Sequence, residues 1–394
     1  MSFICSVKLT AIFESLHLPD LDKLTSEQLD FFQQMFTFFE SQNNDPVYCW
    51  QYKMQTDSLL PYLNLSKDLV DLIFMGYLRI ENAVSSQCSN ATSSLLSLMQ
   101  SDAVSFPQQQ ELVGLHIGTF NYYGKASTKV NNDNGLKTTL LTKMMNTNHL
   151  DVLFLQEGYK TDHQFNHPFK ISHSPNISQS GNEFYHSLFN STAIITSYAG
   201  LLYDSTKVEI THGLVDNRIP AIFRVTTLTG TLITYVIVIH GSTTSGAIRL
   251  ISMRNVITAI QRTGSPQYFI ILGDLNVGLD AITVKYYGEK RRTERDWLKS
   301  ALKDIKFDLV PSDSTKLTSV LKQFLRQEGK EGTKNQGQYD LILYPSQHKL
   351  LEDYVFYDAF EELKSEDDFQ NFKAKYSDHY PVCAQFEMRL FPWR

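Results

Sequence analysis

Residues 375 to 388, KYSDHYPVCAQFEM, join a polar segment to a run in which apolar side chains alternate with others. The alternation predicts a strand with one buried face, and Asp378 and His379 stand just before it. An isolated pair of this kind has an ordinary explanation, because the ends of strands at the rim of a sheet stay hydrated. The rest of the sequence decides between that explanation and a functional one.

Six further β-rich runs follow residue 110, and helical periodicity occurs between them at 136–149 and 247–262. The runs are ELVGLHIGTF (111–120), DVLFLQE (151–157), AIFRVTT (221–227), LITYVIVIH (232–240), YFIILGD (268–274) and YDLILYP (339–345). Strands that alternate with helices predict a large α/β sandwich.

The first 100 or so residues have helical patterns instead. Thr25 with Gln28 resembles a capping box, and Pro46 and Ser66 mark further predicted helix starts. Residues 87–110 mix polar and apolar side chains and end in a Pro/Gln stretch that is typical of a linker. We therefore predict two units: a helical region of unknown role at 1–108 and an α/β catalytic domain at 109–394.

The composition fits a globular protein with a substantial core, since 42% of the 394 residues are hydrophobic and 12% are aromatic. The formal net charge of -6 is uneven, because residues 1–110 hold five basic and twelve acidic residues while the remainder holds 31 and 30. The acidity belongs to the helical region, so an anionic polymer is not excluded as a substrate. The four cysteines lack metal-site spacing, which favours free thiols in a reducing compartment.

Neither a membrane span nor Sec export is expected. No run of 18 or more apolar residues occurs, and the N-terminus lacks the charged start, apolar stretch and cleavage site of a signal peptide. Two locations stay open: the cytoplasm of the producing cell, or a target cell into which the protein is delivered as a toxin or effector.

Several predicted strands end in polar residues that a purely structural sheet does not need there. These residues are Asn121, Glu157, His240, Asp274, Asn276, Asp340, Asp378 and His379. Single positions have ordinary alternatives, such as a satisfied core histidine or a turn asparagine. Together they supply what metal-assisted phosphoester hydrolysis requires, namely oxygen ligands for Mg²⁺ or Mn²⁺ and imidazoles that transfer protons.

These positions fall in six motifs that, in this order, resemble the endonuclease/exonuclease/phosphatase superfamily, also called deoxyribonuclease I-like. The motifs are FN (120–121), QE (156–157), IHGS (239–242), GDLN (273–276), YDLIL (339–343) and SDHYPV (377–382). The resemblance covers roughly residues 112–390, and the chain looks most like deoxyribonuclease I and the catalytic subunit of cytolethal distending toxin. It implies a four-layer α/β/β/α sandwich, here preceded by the helical region.

The resemblance also implies which residues bind metal and substrate. Glu157 would bind the divalent cation, with Asn121 and Asp378 close to the metal or the phosphate. Asn276 would fix the phosphate. Arg218, in NRIPAI, would contact it through the planar guanidinium fork that suits phosphate.

The catalytic roles follow from the same resemblance. His240 and His379 would flank the scissile phosphate as acid and base groups, and Asp340 would orient His379. Asp274 would activate or hold the attacking water. In deoxyribonuclease I a glutamate pairs with the first histidine, and here Ser197 or a neighbour takes that position, so the partner of His240 stays open.

The implied function is a Mg²⁺- or Mn²⁺-dependent phosphodiesterase, foremost an endonuclease that acts on DNA. A phosphatase or phosphodiesterase acting on phosphoinositides or related lipid headgroups is the alternative, because the same site serves both chemistries. A catalytically inactive binding protein is the third hypothesis. The acidic helical region could dock an unknown protein partner, act in delivery or autoinhibition, or simply pack against the domain.

One further stretch bears on the substrate. Residues 285–299, KYYGEKRRTERDWLK, carry six basic and three acidic residues. The basic residues are Lys285, Lys290, Arg291, Arg292, Arg295 and Lys299. This run is predicted to follow a phosphate backbone, the alternative being a solvated helix face with compensating charges.

Overall fold

The structure is a computed structural model of the chain. It describes residues 8–13, 23–42, 46–100, 105–121, 134–147, 149–156, 169–173, 200–204, 206–207, 209–212, 222–241, 246–277, 294–312, 318, 338–356, 377 and 379–392. Within these segments, no helix combines the length and the apolar character needed to cross a membrane.

Three of the described helices begin at the starts that the sequence predicts, next to Thr25, at Pro46 and next to Ser66. Their bounds are α1 Ser26–Ser41, α2 Pro46–Thr56, α3 Lys67–Met99, α4 Asn134–Thr147, α5 Gly246–Arg262 and α6 Glu294–Asp304. Thr25 and Gln28 exchange reciprocal side-chain and backbone hydrogen bonds at the start of α1, which confirms the capping box. Ser66 caps α3 by accepting a hydrogen bond from the Leu69 N–H.

The described strands form two six-stranded sheets. Their bounds are β1 Glu111–Asn121, β2 Val152–Gln156, β3 Phe169–His173, β4 Gly200–Asp204, β5 Glu209–His212, β6 Ile222–Thr226, β7 Leu232–His240, β8 Phe269–Asp274, β9 Phe307–Val310, β10 Asp340–Pro345, β11 Lys349–Val355 and β12 Val382–Leu390. The first sheet has the order β11-β12-β1-β2-β4-β3, and the second has the order β5-β6-β7-β8-β10-β9. All seven predicted runs form strands.

Each sheet contains one parallel pair near its centre, β1 with β2 and β7 with β8, while the other pairs are antiparallel. Parallel neighbours need a crossover connection, and a helix supplies it in both cases. The crossover helices are α4 and α5, at the two places where the sequence shows helical periodicity.

Both faces of each sheet carry apolar side chains, and this determines the order of the layers. Inner-face residues of both sheets, among them Ile117, Phe154 and Leu272, form one cluster between the sheets. Met144 and neighbouring residues of α4 cover the outer face of the first sheet, while α5 and α6 cover the outer face of the second, where Ile271 lies. The predicted four-layer α/β/β/α sandwich is therefore confirmed.

The helical region is continuous with this sandwich. Helix α3 packs on α5, and a single apolar cluster runs from Phe36 and Tyr77 to Ile260 and Leu343. Helix α3 continues to Met99, so residues 87–99 are helical, and the Pro/Gln stretch predicted as a linker lies between this helix and β1. The serines and threonines of this stretch are tolerated in a helix whose buried Leu95 and Met99 maintain an apolar face. The predicted boundary near residue 108 lies between the end of α3 at Met99 and the start of β1 at Glu111, and the division into two units stays a prediction.

A buried histidine in the turn between β10 and β11 links pH to stability. The Nδ1 atom of His348 accepts a hydrogen bond from the Arg389 N–H at 3.1 Å, and its Nε2 lies 3.1 Å from the Gln267 carbonyl oxygen. Since Nδ1 accepts, the proton of the neutral ring is on Nε2, which donates to Gln267. Burial lowers the pKa of His348 to about 4.

We predict that this histidine makes the protein less stable in mild acid. The pKa of this histidine is about 6.5 in the unfolded chain and about 4 in the folded protein, so between these values only the unfolded chain is protonated. The free energy of unfolding therefore decreases as the pH is lowered through this window. From pH 7 to pH 5 the wild type should lose about 2 kcal/mol more unfolding free energy than His348→Gln. Urea unfolding at both pH values measures this, and parallel losses in the two proteins would contradict it.

Candidate active site

The functional residues of the second sheet stand side by side across three neighbouring strands. His240 at the end of β7 pairs in register with Asp274 at the end of β8, and Asp274 pairs with Asp340 at the start of β10. Because β7 and β8 are parallel while β10 is antiparallel to them, two strand ends and one strand start meet at a single edge. The register thus brings together three residues separated by up to 100 positions in the sequence.

The first sheet contributes its residues at the same edge. The Asn121 side chain, at the end of β1, donates from Nδ2 to Asp274 Oδ2 at 2.9 Å. His379 precedes β12, and its Nδ1 lies 2.7 Å from Asp340 Oδ2. Both hydrogen bonds cross from one sheet to the other, so the site is built where the two edges meet.

Both predicted acid and base groups face the same carboxylate. The Nε2 atoms of His240 and His379 each lie 3.6 Å from Asp274 Oδ2. The side chains of His240 and His379 are 14% and 12% exposed, whereas those of Asp274 and Asp340 are 2% and 0% exposed. The imidazoles can therefore meet a substrate from solvent, while the carboxylates lie behind them.

Burial and charge set the ionisation of the deeper carboxyl. Burial raises the pKa of Asp340, as does the negative charge of Asp274, while the charge of His379 and the hydroxyl of Thr318 act in the opposite direction. An ionised carboxylate only accepts hydrogen bonds, so His379 donates from Nδ1 to Asp340, and its Nε2 lies 3.6 Å from Asp274 Oδ2. In this geometry the Asp340 carboxylate holds the imidazole of His379 through Nδ1.

Asp274 itself is held at both oxygens. Oδ2 accepts from Asn121, and Oδ1 accepts from the backbone N–H of Asn276 at 3.0 Å. Asn276 has a φ of 52°, a left-handed conformation that asparagine tolerates better than most residues. Its Nδ2 donates to the Gly241 carbonyl oxygen at 3.0 Å, which fixes the amide beside the carboxylate.

Ser377 is a residue of this site that the sequence analysis did not single out. Its buried hydroxyl donates to the Asn121 carbonyl oxygen at 2.6 Å and accepts from the His379 N–H at 3.1 Å. It therefore joins the end of β1 to the segment that carries His379. The signal was present in the sequence, because Ser377 opens the SDHYPV motif.

The predicted metal ligands are only partly within the described residues. Asn121 is among them, whereas Glu157 and Asp378 lie outside, as do Arg218 and Ser197. Their predicted roles stay predictions.

The described residues do contain a group that could hold a metal ion. Asp274, Asp340 and His379 present ligand atoms within 4.8 Å of one another. Carboxylate oxygens are the donors that Mg²⁺ and Mn²⁺ prefer, so the chemistry of this edge fits a divalent cation. Asp340 and His379 pair with each other. Asp274 is the member of this group whose carboxylate faces the imidazoles of both His240 and His379.

The six basic residues of the run at 285–299 differ in whether the structure describes them and in their burial. Lys285, Lys290, Arg291 and Arg292 lie outside the described residues, and Lys299 is exposed on α6. Arg295 is buried, and its Nη2 donates to Gln338 Oε1 at 2.7 Å. The prediction that Arg295 follows a phosphate backbone is therefore wrong, because its guanidinium packs inside the protein beside the segment that leads into β10.

Comparison with known proteins finds similarity to solved structures. No family model and no curated protein matches the chain. Similar solved structures include an endonuclease/exonuclease/phosphatase family protein from Bacteroides thetaiotaomicron, with 11% identity and a TM-score of 0.45 over 71% of this chain and 100% of that chain. TDP2 from D. rerio, solved with a single strand DNA product, has 13% identity and a TM-score of 0.41 over 70% and 99%. A mannosyl-6-phosphatase from Bacteroides thetaiotaomicron has 12% identity and a TM-score of 0.44 over 69% and 99%.

The position of Asp274 depends on a close approach of two strands at Gly273. This glycine has a φ of 132°, and an added Cβ would lie 1.9 Å from the Ile239 carbonyl oxygen. Gly230 also has a positive φ, 83°, but a Cβ there would meet nothing within 4 Å.

These two glycines form a matched pair for mutation. Gly230→Ala should cost about 1 to 2 kcal/mol, the penalty for a left-handed alanine. Gly273→Ala should cost several kcal/mol, because the methyl group also forces β7 and β8 apart. Urea unfolding measures both variants, and equal destabilisation would show that the strands are not tightly apposed at Gly273.

Proposed function

We propose that the protein is a divalent-metal-dependent phosphodiester hydrolase, and specifically an endonuclease acting on DNA. The observation that carries the proposal is the pair of partly exposed imidazoles whose Nε2 atoms both lie 3.6 Å from the buried Asp274 carboxylate. Two imidazoles around one anchored carboxylate form an arrangement suited to transferring protons at a bound phosphate. The ordered motifs of the sequence support the same chemistry.

Each side chain has a task in this proposal. Asp274, held by Asn121 and the Asn276 N–H, positions the attacking water. His240 and His379 contact the phosphate oxygens and exchange protons with them. Asp340 is a positioning residue that keeps the Nδ1 proton of His379 engaged and directs its Nε2 toward the substrate.

A divalent cation, Mg²⁺ or Mn²⁺, would be held by Glu157, Asn121 and Asp378 in this proposal. When bound, it would supply positive charge that stabilises the charge developing on the phosphate in the transition state. Asn276 and Arg218 would bind the remaining phosphate oxygens, and Arg218 suits this task because its planar fork matches phosphate.

The function is tested by incubating the purified protein with Mg²⁺ on supercoiled plasmid and, in parallel, on a panel of phosphoinositides. We expect plasmid nicking that chelation abolishes, and Glu157→Gln should raise the Mg²⁺ requirement or remove activity. Phosphoinositide turnover without nicking would replace the nuclease by the alternative phosphatase. Full activity in excess chelator would contradict the metal mechanism, and no turnover of any substrate would favour a binding protein.

The two histidines are predicted to be individually essential for rate. His240→Ala and His379→Ala should each lower turnover on the order of 10² to 10⁴-fold, the range for loss of a positioned acid or base group. Asp340→Asn should be milder than His379→Ala, since the imidazole remains present. His116→Ala, in the middle of β1, is the matched control and should keep the rate. A histidine variant with normal rate and normal melting temperature would return that residue to a structural role.

A further inference from the structure

We infer that Thr318 is a positioning residue that holds Asp340 and His379 in their working geometry, an inference that rests on the proposed function. Thr318 is fully buried and is 22 positions before Asp340 in the sequence. None of the six motifs contains it. Its importance is visible only from its hydrogen bonds.

The Thr318 side chain holds the start of β10. Its Oγ1 accepts hydrogen bonds from the backbone N–H groups of Tyr339 and Asp340, at 2.9 and 3.2 Å. Asp340 is the first residue of β10, where the regular ladder to β8 begins. A single oxygen that receives two successive N–H groups fixes the backbone from which the Asp340 carboxylate projects.

The backbone of Thr318 binds the segment that carries His379. Its carbonyl oxygen accepts from the Tyr380 N–H at 2.6 Å, directly after His379. One residue is thus hydrogen-bonded to the second sheet beside Asp340 and to the segment that leads into the first sheet beside His379. It bridges the same gap that the His379–Asp340 hydrogen bond spans at 2.7 Å.

Thr318 would affect the position of Asp340 and His379 without contacting the substrate itself. Loss of the hydroxyl would free the start of β10 while the carbonyl bond to Tyr380 remains. The expected consequence is a displaced Asp340 carboxylate and a less constrained His379 ring, with substrate contacts elsewhere unchanged. Side chains that orient metal ligands from the next layer typically contribute about 10 to 100-fold to metal affinity or activity, and we expect an effect of that order here.

The test compares Thr318→Val, which keeps the shape but removes the oxygen, with Thr318→Ser, which keeps the oxygen. We expect Thr318→Val to lower kcat about 10 to 100-fold on a small chromogenic phosphodiester with KM little changed, and Thr318→Ser to recover most of the rate. Thr234→Val is the matched control, because this buried threonine donates to the Tyr268 carbonyl oxygen in the first part of β7, remote from His240. Its kcat should stay normal.

A second measurement does not depend on turnover. In metal-free protein the ring Cε1–H signal of His379, assigned by its absence in His379→Gln, should move in Thr318→Val and stay in place in Thr318→Ser and Thr234→Val. The signal of His348, at the opposite end of β10, should not move in any of them. If Thr318→Val does not fold, Thr318→Cys serves in its place, since sulfur is a weak acceptor.

The two measurements distinguish the failure of this inference from that of the proposed function. A wild-type protein that hydrolyses no phosphoester contradicts the proposed function, and the His379 signal then still decides whether Thr318 sets the ring environment. A folded Thr318→Val variant with wild-type kcat, or with an unmoved His379 signal, overturns the inference. Equal losses of kcat in Thr318→Val and Thr234→Val would also overturn it, by showing a general effect of removing a buried hydroxyl.

Discussion

Two hydrogen bonds that cross between the sheets, from Asn121 to Asp274 and between His379 and Asp340, determine how the candidate site is assembled. Both carboxylates are buried, and a buried charge that lacks partners costs several kcal/mol. Each sheet by itself would leave its polar edge groups unsatisfied, so the edges must meet in a register that pairs them. The apolar cluster between the sheets provides the driving force for stacking, while these polar contacts select the alignment.

The carboxylates and the imidazoles of the site differ in how deeply they are buried. Asp274 and Asp340 are almost inaccessible to solvent, whereas the imidazoles of His240 and His379 reach the surface. Electrostatic interactions are stronger away from water, so a buried carboxylate can orient and polarise an imidazole more effectively than an exposed one. The same burial raises the pKa of Asp340, which shows that this geometry is maintained against a desolvation cost.

The helical region contributes to the scaffold around this edge. Helix α3 packs on α5, and α5 begins six positions after His240. Part of the acidity of the region is neutralised internally, since the buried Lys8 pairs with Glu40 and Glu81. The buried Lys53 pairs in the same way with Asp57 and Asp71. Acidic residues engaged in such pairs are less available to an external partner than the net charge of the segment suggests.

The sequence by itself determined the strand runs, the crossover helices, the helix caps and the set of polar residues at strand ends, because local periodicity and capping chemistry are readable over a few positions. It did not reveal the five strands β3, β4, β5, β9 and β11, whose pairing depends on other segments of the chain. The sequence analysis also predicted Arg295 to be a surface charge, and it did not identify Thr318. Both errors have one physical reason: burial and backbone hydrogen bonds between segments far apart in sequence exist only once the sheets have stacked, so only the tertiary structure decided them.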